Sequence, residues 1–313
     1  MSKPEILIVG PMHAGAIERL DAEFITHKYW LAEDKDALVA KVAANIRGIA
    51  TTGNHGASAA LIDALPRLEI ISCFGVGYDA VDIDAAKRRN IPVSNTPEVL
   101  NDCVADLAMG MMLDIGRKIA QGDRHVRSGK WLKATLPLAT RVSGKRLGIL
   151  GYGRIGRAIA KRATAFDMRI AYHSRNKVAG SPHTYHASAV ELAKHSDFLI
   201  VITPGGKETF HLVNEAVIKA LGPKGFLINV SRGSVVDEAV LLKCLQDGSL
   251  GGAALDVFEQ EPKMDEAFWT LDNVLLQPHV GSATNETRAA MGKLTVDNLL
   301  VHFSGKPVLT PVY

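Results

Sequence analysis

The chain has 313 residues, of which 47% are hydrophobic and 22% are charged, and its net charge at pH 7 is +3. This length accommodates two domains, and this composition is typical of a folded globular protein and not of a disordered one. The small net charge argues against nucleic acid as the main partner, and no stretch reaches the roughly 20 apolar residues that a membrane helix needs.

The N-terminus and the cysteines indicate a cytoplasmic protein. Residues 5–10 form a strand-like apolar segment, without the apolar helix and small-residue cleavage site of a secretory signal. Cys73, Cys103 and Cys244 have no metal-ligand spacing, and their number is odd. We therefore expect reduced thiols, a cytoplasmic location and no resident metal.

Short apolar segments alternate with helical patterns along the chain, which predicts parallel sheets built from βαβ units. In the first block we predict strands at 6–9, 46–50, 69–73 and 92–94, and a helix at 57–64. Thr96 is then predicted to cap a long helix, with Pro97 in its first turn and Glu98 at the positive end of its dipole. This helix would run to about residue 127, before Ser128-Gly129.

The second block repeats the same alternation. Its predicted strands are 147–150, 169–172, 198–202, 226–230, 253–257 and 274–276, and one intervening helix is capped by Asp237. A last helical pattern at 285–303 is not needed by this sheet and is expected to pack on the first block. We predict two Rossmann-like domains: a nucleotide-binding domain (99–284) inserted into a discontinuous, flavodoxin-like substrate domain (1–98 and 285–313).

A glycine-rich turn opens the second block. Gly151, Gly153 and Gly156 follow a predicted strand and precede a predicted helix that begins with Arg154 and Ile155. In this context the glycines allow a tight turn, a close approach of pyrophosphate and close packing of helix on strand, and the helix N-terminus presents N–H groups to the phosphates. The alternative is a strand–helix turn that binds no ligand.

Ser174 and Arg175 come just after the next predicted strand, about 20 residues beyond the glycine motif, where an NAD-specific site carries Asp or Glu. Ser174 can donate a hydrogen bond to a 2′-phosphate, and Arg175 can form a charge-assisted pair with it. We therefore predict NADPH as the cofactor, with NADH less favoured. The alternative is that Arg175 is an ordinary surface residue.

Arg232, Glu261 and His279 follow in the second block. A guanidinium holds a carboxylate through two parallel hydrogen bonds. An imidazole beside a carboxylate can protonate the alkoxide that forms when hydride adds to a carbonyl. Together with the nucleotide motif, these residues indicate hydride transfer between a nicotinamide and a small 2-oxo acid. The alternative is a structural ion-pair network.

Six segments resemble the D-isomer-specific 2-hydroxyacid dehydrogenase family over nearly the whole chain. They are FGVGYD at 74–79, NTP at 95–97, the glycine motif, INVSRG at 228–233, ALDVFEQEP at 254–262 and QPHVG at 277–281. Within that family the chain is most similar to NADPH-using glyoxylate/hydroxypyruvate reductases, including the branch of plant hydroxyphenylpyruvate reductases. Glu261 differs from the glutamine of related formate dehydrogenases, so formate oxidation is not expected.

The resemblance implies a role for each matching residue. Arg232 would bind and polarise the substrate, His279 would be the proton donor, and Glu261 would favour the charged imidazole. The substrate carboxylate would also meet the backbone N–H groups of Val76 and Gly77. Further cofactor contacts would come from Thr203, Pro204, Val230, Asp256 and Gly281.

The resemblance also implies a homodimer, through residues 109–131, and leaves Trp131 either in the interface or at the partner's substrate. We expect reduction of glyoxylate to glycolate and of hydroxypyruvate to D-glycerate. Two alternatives remain: reduction of bulkier 2-oxo acids such as hydroxyphenylpyruvate, and a dinucleotide-sensing, corepressor-like binding protein. The ten histidines other than His279 are assigned no function, and His183 and His186 lack a third metal ligand at a suitable spacing.

Overall fold

The structure, a computed structural model, describes residues 3–313. The chain divides into two compact units: the residues up to Leu100 together with Ser282–Tyr313, and Asn101–Gly281. Each unit contains one parallel sheet, so the α/β class predicted from the sequence is confirmed. The assignment of the units to substrate and nucleotide stays a prediction.

The first unit is built on five parallel strands: β1 (Glu5–Ile8), β2 (Ile25–Lys28), β3 (Ile46–Thr52), β4 (Ile70–Phe74) and β5 (Val93–Ser94). Its helices before residue 100 are α1 (Ala14–Glu23), α2 (Lys35–Val42), α3 (Ala59–Asp63) and α4 (Ile83–Arg88). The strand order is β2-β1-β3-β4-β5, so the most apolar strands are central. β2 was not predicted, because its ITHK sequence lies at the edge with partly exposed side chains and shows no apolar pattern.

The second unit begins with α5 (Asn101–Arg117) and α6 (Ile119–Arg127). Its strands are β6 (Arg146–Leu150), β7 (Arg169–His173), β8 (Thr184–Tyr185), β9 (Phe198–Val201), β10 (Phe226–Asn229), β11 (Gly252–Leu255) and β12 (Val274–Leu276). Its other helices are α7 (Arg154–Ala163), α8 (Ala189–Lys194), α9 (Glu215–Leu221) and α10 (Glu238–Gln246). The sheet is parallel, in the order β12-β11-β10-β9-β6-β7-β8.

The strand order of the second sheet reverses between β6 and β9. From β6 the chain builds β7 and β8 to one side, and it then crosses over to build β9 to β12 on the other side. Ligands of open α/β sheets bind at the carboxyl ends of the strands beside such a reversal. The turn after β6 and the loop after β9 therefore lie where a ligand is expected.

The long helix predicted from Thr96 begins later than expected, at Asn101. Thr96 is fully buried, and its Oγ1 accepts a hydrogen bond from the backbone N–H of Gly75 at 3.0 Å, so it is not available as a helix cap. Glu98 has a left-handed backbone (φ 70), which a continuing α-helix does not permit. Thr96 therefore supports the loop after β4.

The same predicted helix is interrupted at Lys118, whose backbone is left-handed (φ 59, ψ 40). The side chain of Asp114 accepts a hydrogen bond from the N–H of Ala120 at 2.7 Å and so stabilises the break. The chain changes direction here and continues as α6.

The final helix, α11 (Asn285–Phe303), is capped by Thr284 and belongs to the first unit. Val296 and Leu299 are buried in one core with Ile6 and Ile70 of the sheet. None of the helices within residues 3–313 has the length and apolar character to cross a bilayer.

Asn298, on α11, is buried and fixes the C-terminal tail. Its Oδ1 accepts hydrogen bonds from the N–H groups of Leu309 at 2.9 Å and Thr310 at 3.2 Å. Beyond this point the N–H of Val312 donates to the carbonyl of Val93 at 2.9 Å, and Pro311 pairs antiparallel with Ser94. The tail thus lies along β5, the edge strand.

Candidate active site

The glycine-rich turn joins β6 to α7, as the motif predicts. Gly151 is left-handed (φ 103), and a Cβ atom there would lie 2.6 Å from the carbonyl oxygen of Ile202. A Cβ atom on Gly156 would lie 2.2 Å from the carbonyl oxygen of Gly151. Gly153 differs, because no heavy atom lies within 4 Å of its Cβ position. Two glycines are thus required by the fold, whereas the third borders open space.

Gly153 is the N-cap of α7 and offers no side chain to the first turn. The first N–H groups of an α-helix have no acceptor within the helix, and in α7 they directly follow Gly153. Across residues 3–313, Thr203 holds the one buried side-chain oxygen or nitrogen that lacks a hydrogen-bond partner, its Oγ1. Thr203 follows β9, at the reversal of strand order. The unpartnered hydroxyl of Thr203, close in the fold to the N-terminus of α7, fits a phosphate-bearing ligand such as a nicotinamide dinucleotide.

Ser174 and Arg175 directly follow β7. The Ser174 hydroxyl donates to the carbonyl of Asn176 at 2.8 Å. Arg175 forms a 2.9 Å ion pair with Glu208, and the two side chains are 82% and 77% exposed. An ion pair this exposed contributes little stability, so the guanidinium can exchange its partner for a phosphate. No carboxylate stands at the position of Ser174.

The remaining predicted cofactor residues also follow strands of the second sheet. Pro204 follows Thr203 after β9, Val230 follows β10, Asp256 follows β11 and Gly281 lies after β12. The structure thus gathers the predicted cofactor residues on one edge of this sheet, because parallel strands end on the same side.

Arg232 lies in the turn after β10, and the buried Asn229 shapes this turn. Asn229 Oδ1 accepts hydrogen bonds from the N–H of Ser231 at 3.1 Å and from its hydroxyl at 2.9 Å. Asn229 Nδ2 donates to the carbonyl of Arg232 at 3.0 Å. No role was expected for Asn229 from the sequence, although its place in the INVSRG segment was the available signal.

Gly233 packs the Arg232 turn directly against the loop that carries Glu261. A Cβ atom on Gly233 would lie 1.8 Å from the carbonyl carbon of Phe258. The N–H of Phe258 in turn donates to Glu261 Oε1 at 3.1 Å. The guanidinium and the carboxylate are therefore carried by two backbone segments that touch.

His279 Nδ1 and Glu261 Oε2 are 2.6 Å apart. Because a carboxylate only accepts hydrogen bonds, Nδ1 is the donor and Nε2 is the ring nitrogen left for a reactant. Burial alone raises the pKa of Glu261, but the hydrogen bond and charge of His279, with the nearby charge of Arg232, hold that pKa below its ordinary value. Glu261 is thus an anion at neutral pH.

Asp256 anchors the segment that follows His279. Its carboxylate accepts hydrogen bonds from the N–H of Val280 at 2.7 Å and from the N–H of Gly281 at 2.8 Å. Asp256 is 1% exposed, and this burial raises the pKa of its carboxyl group. His279 itself has a left-handed backbone (φ 54). The hydrogen bonds that Asp256 accepts from the two residues after His279, together with the bond of the imidazole to Glu261, therefore hold His279 in an uncommon backbone conformation.

Val76 and Gly77 lie in the first unit, in the loop after β4. The side chain of Asn95 donates to the carbonyl of Val76 at 2.9 Å and holds this loop. Within residues 3–313, the backbone N–H groups of Val76 and Gly77 donate to no acceptor. Two adjacent donors are thus left for an anionic ligand.

Trp131 lies on a short 3-10 helix, Lys130–Leu132, beyond α6. It is 66% exposed, and the neighbouring Leu132 is 92% exposed. Ile119 and Val126 of α6 are also exposed. Large apolar side chains grouped in this way are typical of a surface that contacts another protein.

The sequence model of the family "D-isomer specific 2-hydroxyacid dehydrogenase, NAD binding domain" matches residues 109–281. Hydroxyphenylpyruvate reductase of Plectranthus scutellarioides is 50% identical over 98% of each chain. Glyoxylate/hydroxypyruvate reductase A of Arabidopsis thaliana is 48% identical over 98% of each chain. The NADPH-dependent glyoxylate/hydroxypyruvate reductase of Sinorhizobium meliloti, solved with NADP and malonate, is 45% identical, with a TM-score of 0.92 over 99% of this chain and 97% of that one. The chain therefore belongs to the D-isomer specific 2-hydroxyacid dehydrogenase family.

Proposed function

We propose that this chain reduces small 2-oxo acids to D-2-hydroxy acids with NADPH, converting glyoxylate to glycolate and hydroxypyruvate to D-glycerate. The 2.6 Å hydrogen bond between His279 and Glu261 carries this proposal, since it pairs a proton donor with the charge that supports it. Support also comes from two relatives whose names describe glyoxylate/hydroxypyruvate reductases.

In the proposed reaction, Arg232 holds the substrate carboxylate and polarises the 2-oxo group. A nicotinamide bound at this site would supply the hydride that the carbonyl carbon accepts. His279 delivers a proton from Nε2 to the oxygen, so an alkoxide does not accumulate. Glu261 balances the positive charge of the imidazolium before this transfer. In oxidation the same imidazole accepts the proton.

We assign the cofactor to the residues grouped at the edge of the second sheet. They are Gly151, Gly153, Arg154, Ile155, Gly156, Ser174, Arg175, Thr203, Pro204, Val230, Asp256 and Gly281. Val76 and Gly77 are assigned to the substrate carboxylate, since their N–H groups have no acceptor within the described chain. Ser174 and Arg175 favour NADPH over NADH, because a 2′-phosphate gains a charge-assisted hydrogen bond where a carboxylate would repel it.

A second substrate class is favoured by one finding. The relative with 50% identity is named a hydroxyphenylpyruvate reductase, so an aromatic 2-oxo acid is the alternative substrate. We also propose a homodimer formed through the exposed apolar side chains around Trp131, and a cytoplasmic location.

A steady-state panel tests the proposed function. NADPH oxidation is followed with glyoxylate, hydroxypyruvate, pyruvate, phenylpyruvate and hydroxyphenylpyruvate, and each is repeated with NADH. We expect the highest kcat/KM with NADPH and glyoxylate or hydroxypyruvate. Preference for hydroxyphenylpyruvate would select the alternative substrate, and equal or better use of NADH would contradict the cofactor assignment. Binding of NADPH without turnover of any of these acids would indicate a dinucleotide sensor instead.

A further inference from the structure

A cluster of possible metal ligands lies in the second unit, outside the residues assigned to the reaction. It consists of His186, Glu191 and His195, and one potential ligand atom from each lies within 4.8 Å of the other two. In the sequence, His186 has no third metal ligand at a suitable spacing, so no metal site was expected there. The fold supplies the missing ligands, since α8 returns to the segment that follows β8.

The backbone on both sides of this cluster is fixed. The N–H of His186 donates to the carbonyl of Tyr172 at 2.9 Å, and its own carbonyl oxygen lies 2.9 Å from His173 Nδ1, so His186 is attached to β7. Glu191 belongs to α8, which is capped by Ser188. His195 follows α8 four residues after Glu191, so the two side chains lie on the same face.

The imidazole of His195 is oriented as in many metal sites. Its Nδ1 lies 2.9 Å from the carbonyl oxygen of Glu191. Because a carbonyl only accepts, Nδ1 carries the proton and Nε2 keeps its lone pair. Metal-binding histidines commonly donate their second ring nitrogen to a carbonyl or carboxylate in this way, which fixes both tautomer and ring orientation.

The two imidazoles are stacked, with ring centroids 4.8 Å apart and an interplanar angle of 20°. The stacking places the two rings side by side, and an imidazole binds a metal in its neutral form.

We propose that His186, Glu191 and His195 form a binding site for a divalent transition-metal ion, with Zn²⁺ as the best match. Two imidazole nitrogens and one carboxylate oxygen are a donor set that Zn²⁺ accepts, and water can occupy its fourth position. Glu191 and His195 are exposed, so an ion can reach the cluster from solvent, and movement of the Glu191 side chain on binding would bring its carboxylate closer to the imidazoles. The ion would connect α8 to the β7–β8 edge and stabilise that end of the sheet.

Zinc binding is measured on the untagged, chelator-treated chain by competition with a chromophoric zinc indicator, and the melting temperature is followed in parallel. The variants are His186→Gln and His195→Gln, and the control is His183→Gln, a histidine of the same segment that packs edge-on against Tyr152. We expect saturable binding and a higher melting temperature with Zn²⁺ for wild type and His183→Gln. Replacing a residue that only hydrogen-bonds a metal ligand weakens metal affinity by about 10- to 100-fold. Replacing a ligand itself, in His186→Gln or His195→Gln, should therefore weaken zinc affinity by at least about tenfold.

All three variants retain the His279–Glu261 pair, which is itself a potential zinc ligand set. Zinc bound there would persist in His186→Gln and His195→Gln, and that result would overturn the proposal. Absence of saturable binding to wild type in the micromolar range would also overturn it. Replacement of Zn²⁺ by Co²⁺ adds a spectroscopic test, since visible absorption of bound Co²⁺ should disappear in both ligand variants and remain in the control.

Discussion

The backbone of Gly233 lies so close to that of Phe258 that even a methyl group at position 233 would overlap the Phe258 carbonyl carbon, at 1.8 Å. This contact joins the turn that carries Arg232 to the loop that carries Glu261. A side-chain rotation cannot relieve this overlap, because the atoms that the methyl group would meet belong to the main chain. The spacing between guanidinium and carboxylate thus depends on a residue that takes no part in the chemistry.

Gly233→Ala should therefore reduce both stability and activity. We expect a loss of about 3 kcal/mol in the free energy of unfolding, the upper end of the usual cost of overpacking. Chemical denaturation and steady-state kinetics measure the two effects. Gly110→Ala is the control for folding of the single chain, in which its Cβ would meet no atom within 4 Å; because residue 110 lies in the segment expected to form the dimer, only its unfolding at low protein concentration is compared. Wild-type stability and turnover in Gly233→Ala would contradict this account.

Gly153→Ala and Gly156→Ala should separate cofactor binding from folding. Gly153→Ala should fold normally, since its Cβ enters open space, but should weaken NADPH binding by about 1.4 kcal/mol or more, which is tenfold in Kd. Gly156→Ala places a Cβ 2.2 Å from a carbonyl oxygen and should lower the melting temperature. Fluorescence titration with NADPH and thermal unfolding distinguish the two. Unchanged NADPH affinity in Gly153→Ala would show that the nucleotide does not bind at this turn.

His279→Ala should lower kcat by about 10²- to 10⁴-fold, the usual contribution of general acid catalysis, while NADPH affinity is retained. Glu261→Gln keeps a hydrogen-bond acceptor beside Nδ1 of His279 but removes the charge, so its kcat should fall less than that of His279→Ala. Single-turnover kinetics with saturating NADPH isolate the chemical step. Near-normal turnover of His279→Ala would show that another group donates the proton.

Ser174→Asp should shift cofactor preference toward NADH, because the new carboxylate repels a 2′-phosphate and accepts from a ribose hydroxyl. Arg175→Gln removes a charge-assisted hydrogen bond that is worth about 1.5 to 3 kcal/mol and should reduce kcat/KM for NADPH alone. The ratio of kcat/KM for NADPH and NADH is the measurement. If neither substitution changes this ratio, the 2′-phosphate is recognised elsewhere.

Glu238→Gln should stabilise the protein at neutral pH. Burial raises the pKa of Glu238, and the nearby charges of Glu259, Glu261 and Asp265 raise it further. When folding raises the pKa of a carboxyl group, the folded protein loses stability as the pH rises through that pKa. The glutamine keeps the acceptor for the N–H of Glu259 without the charge, so we expect a gain of about 0.5 to 1 kcal/mol at pH 7.

This gain should shrink as the pH falls through the raised pKa of Glu238, and it should be lost below 4.5, the ordinary pKa of a glutamate, because Glu238 is then protonated in both folded and unfolded chains. Melting temperatures between pH 4 and 8 provide the test. Glu215→Gln is the control: the hydrogen bond from Lys219 lowers the pKa of Glu215 on an exposed surface, so its removal should give no gain at pH 7. A pH-independent effect of Glu238→Gln would exclude the titration of this carboxyl as its cause.

The sequence predicted most of the sheets, because their central strands are continuous apolar segments. It missed β2 and β8, which are short edge strands with partly exposed side chains. It also joined α5 to α6, because the left-handed conformation at Lys118 depends on a hydrogen bond between Asp114 and Ala120 that no local pattern reveals.

For the candidate site, the sequence predicted the strand–turn–helix around Gly151 and the pairing of Glu261 with His279. It did not indicate Asn229, the contact of Gly233 with Phe258, or the burial of Glu238, since these depend on which loops meet after folding. The assembly of His186 with Glu191 and His195 was missed for the same reason. Residue type and spacing are visible in a sequence, whereas contacts between separate loops are not.

The C-terminal tail that Asn298 holds along β5 has a consequence for solubility. An edge strand with open N–H and C=O groups invites a second molecule to add a strand of its own. Here the pairing of Pro311 with Ser94 and the bond from Val312 to Val93 use those groups within the same chain. Residues 309–312 thus cover this edge of the sheet and should prevent another strand from pairing with it. The buried side-chain amide of Asn298 holds them there.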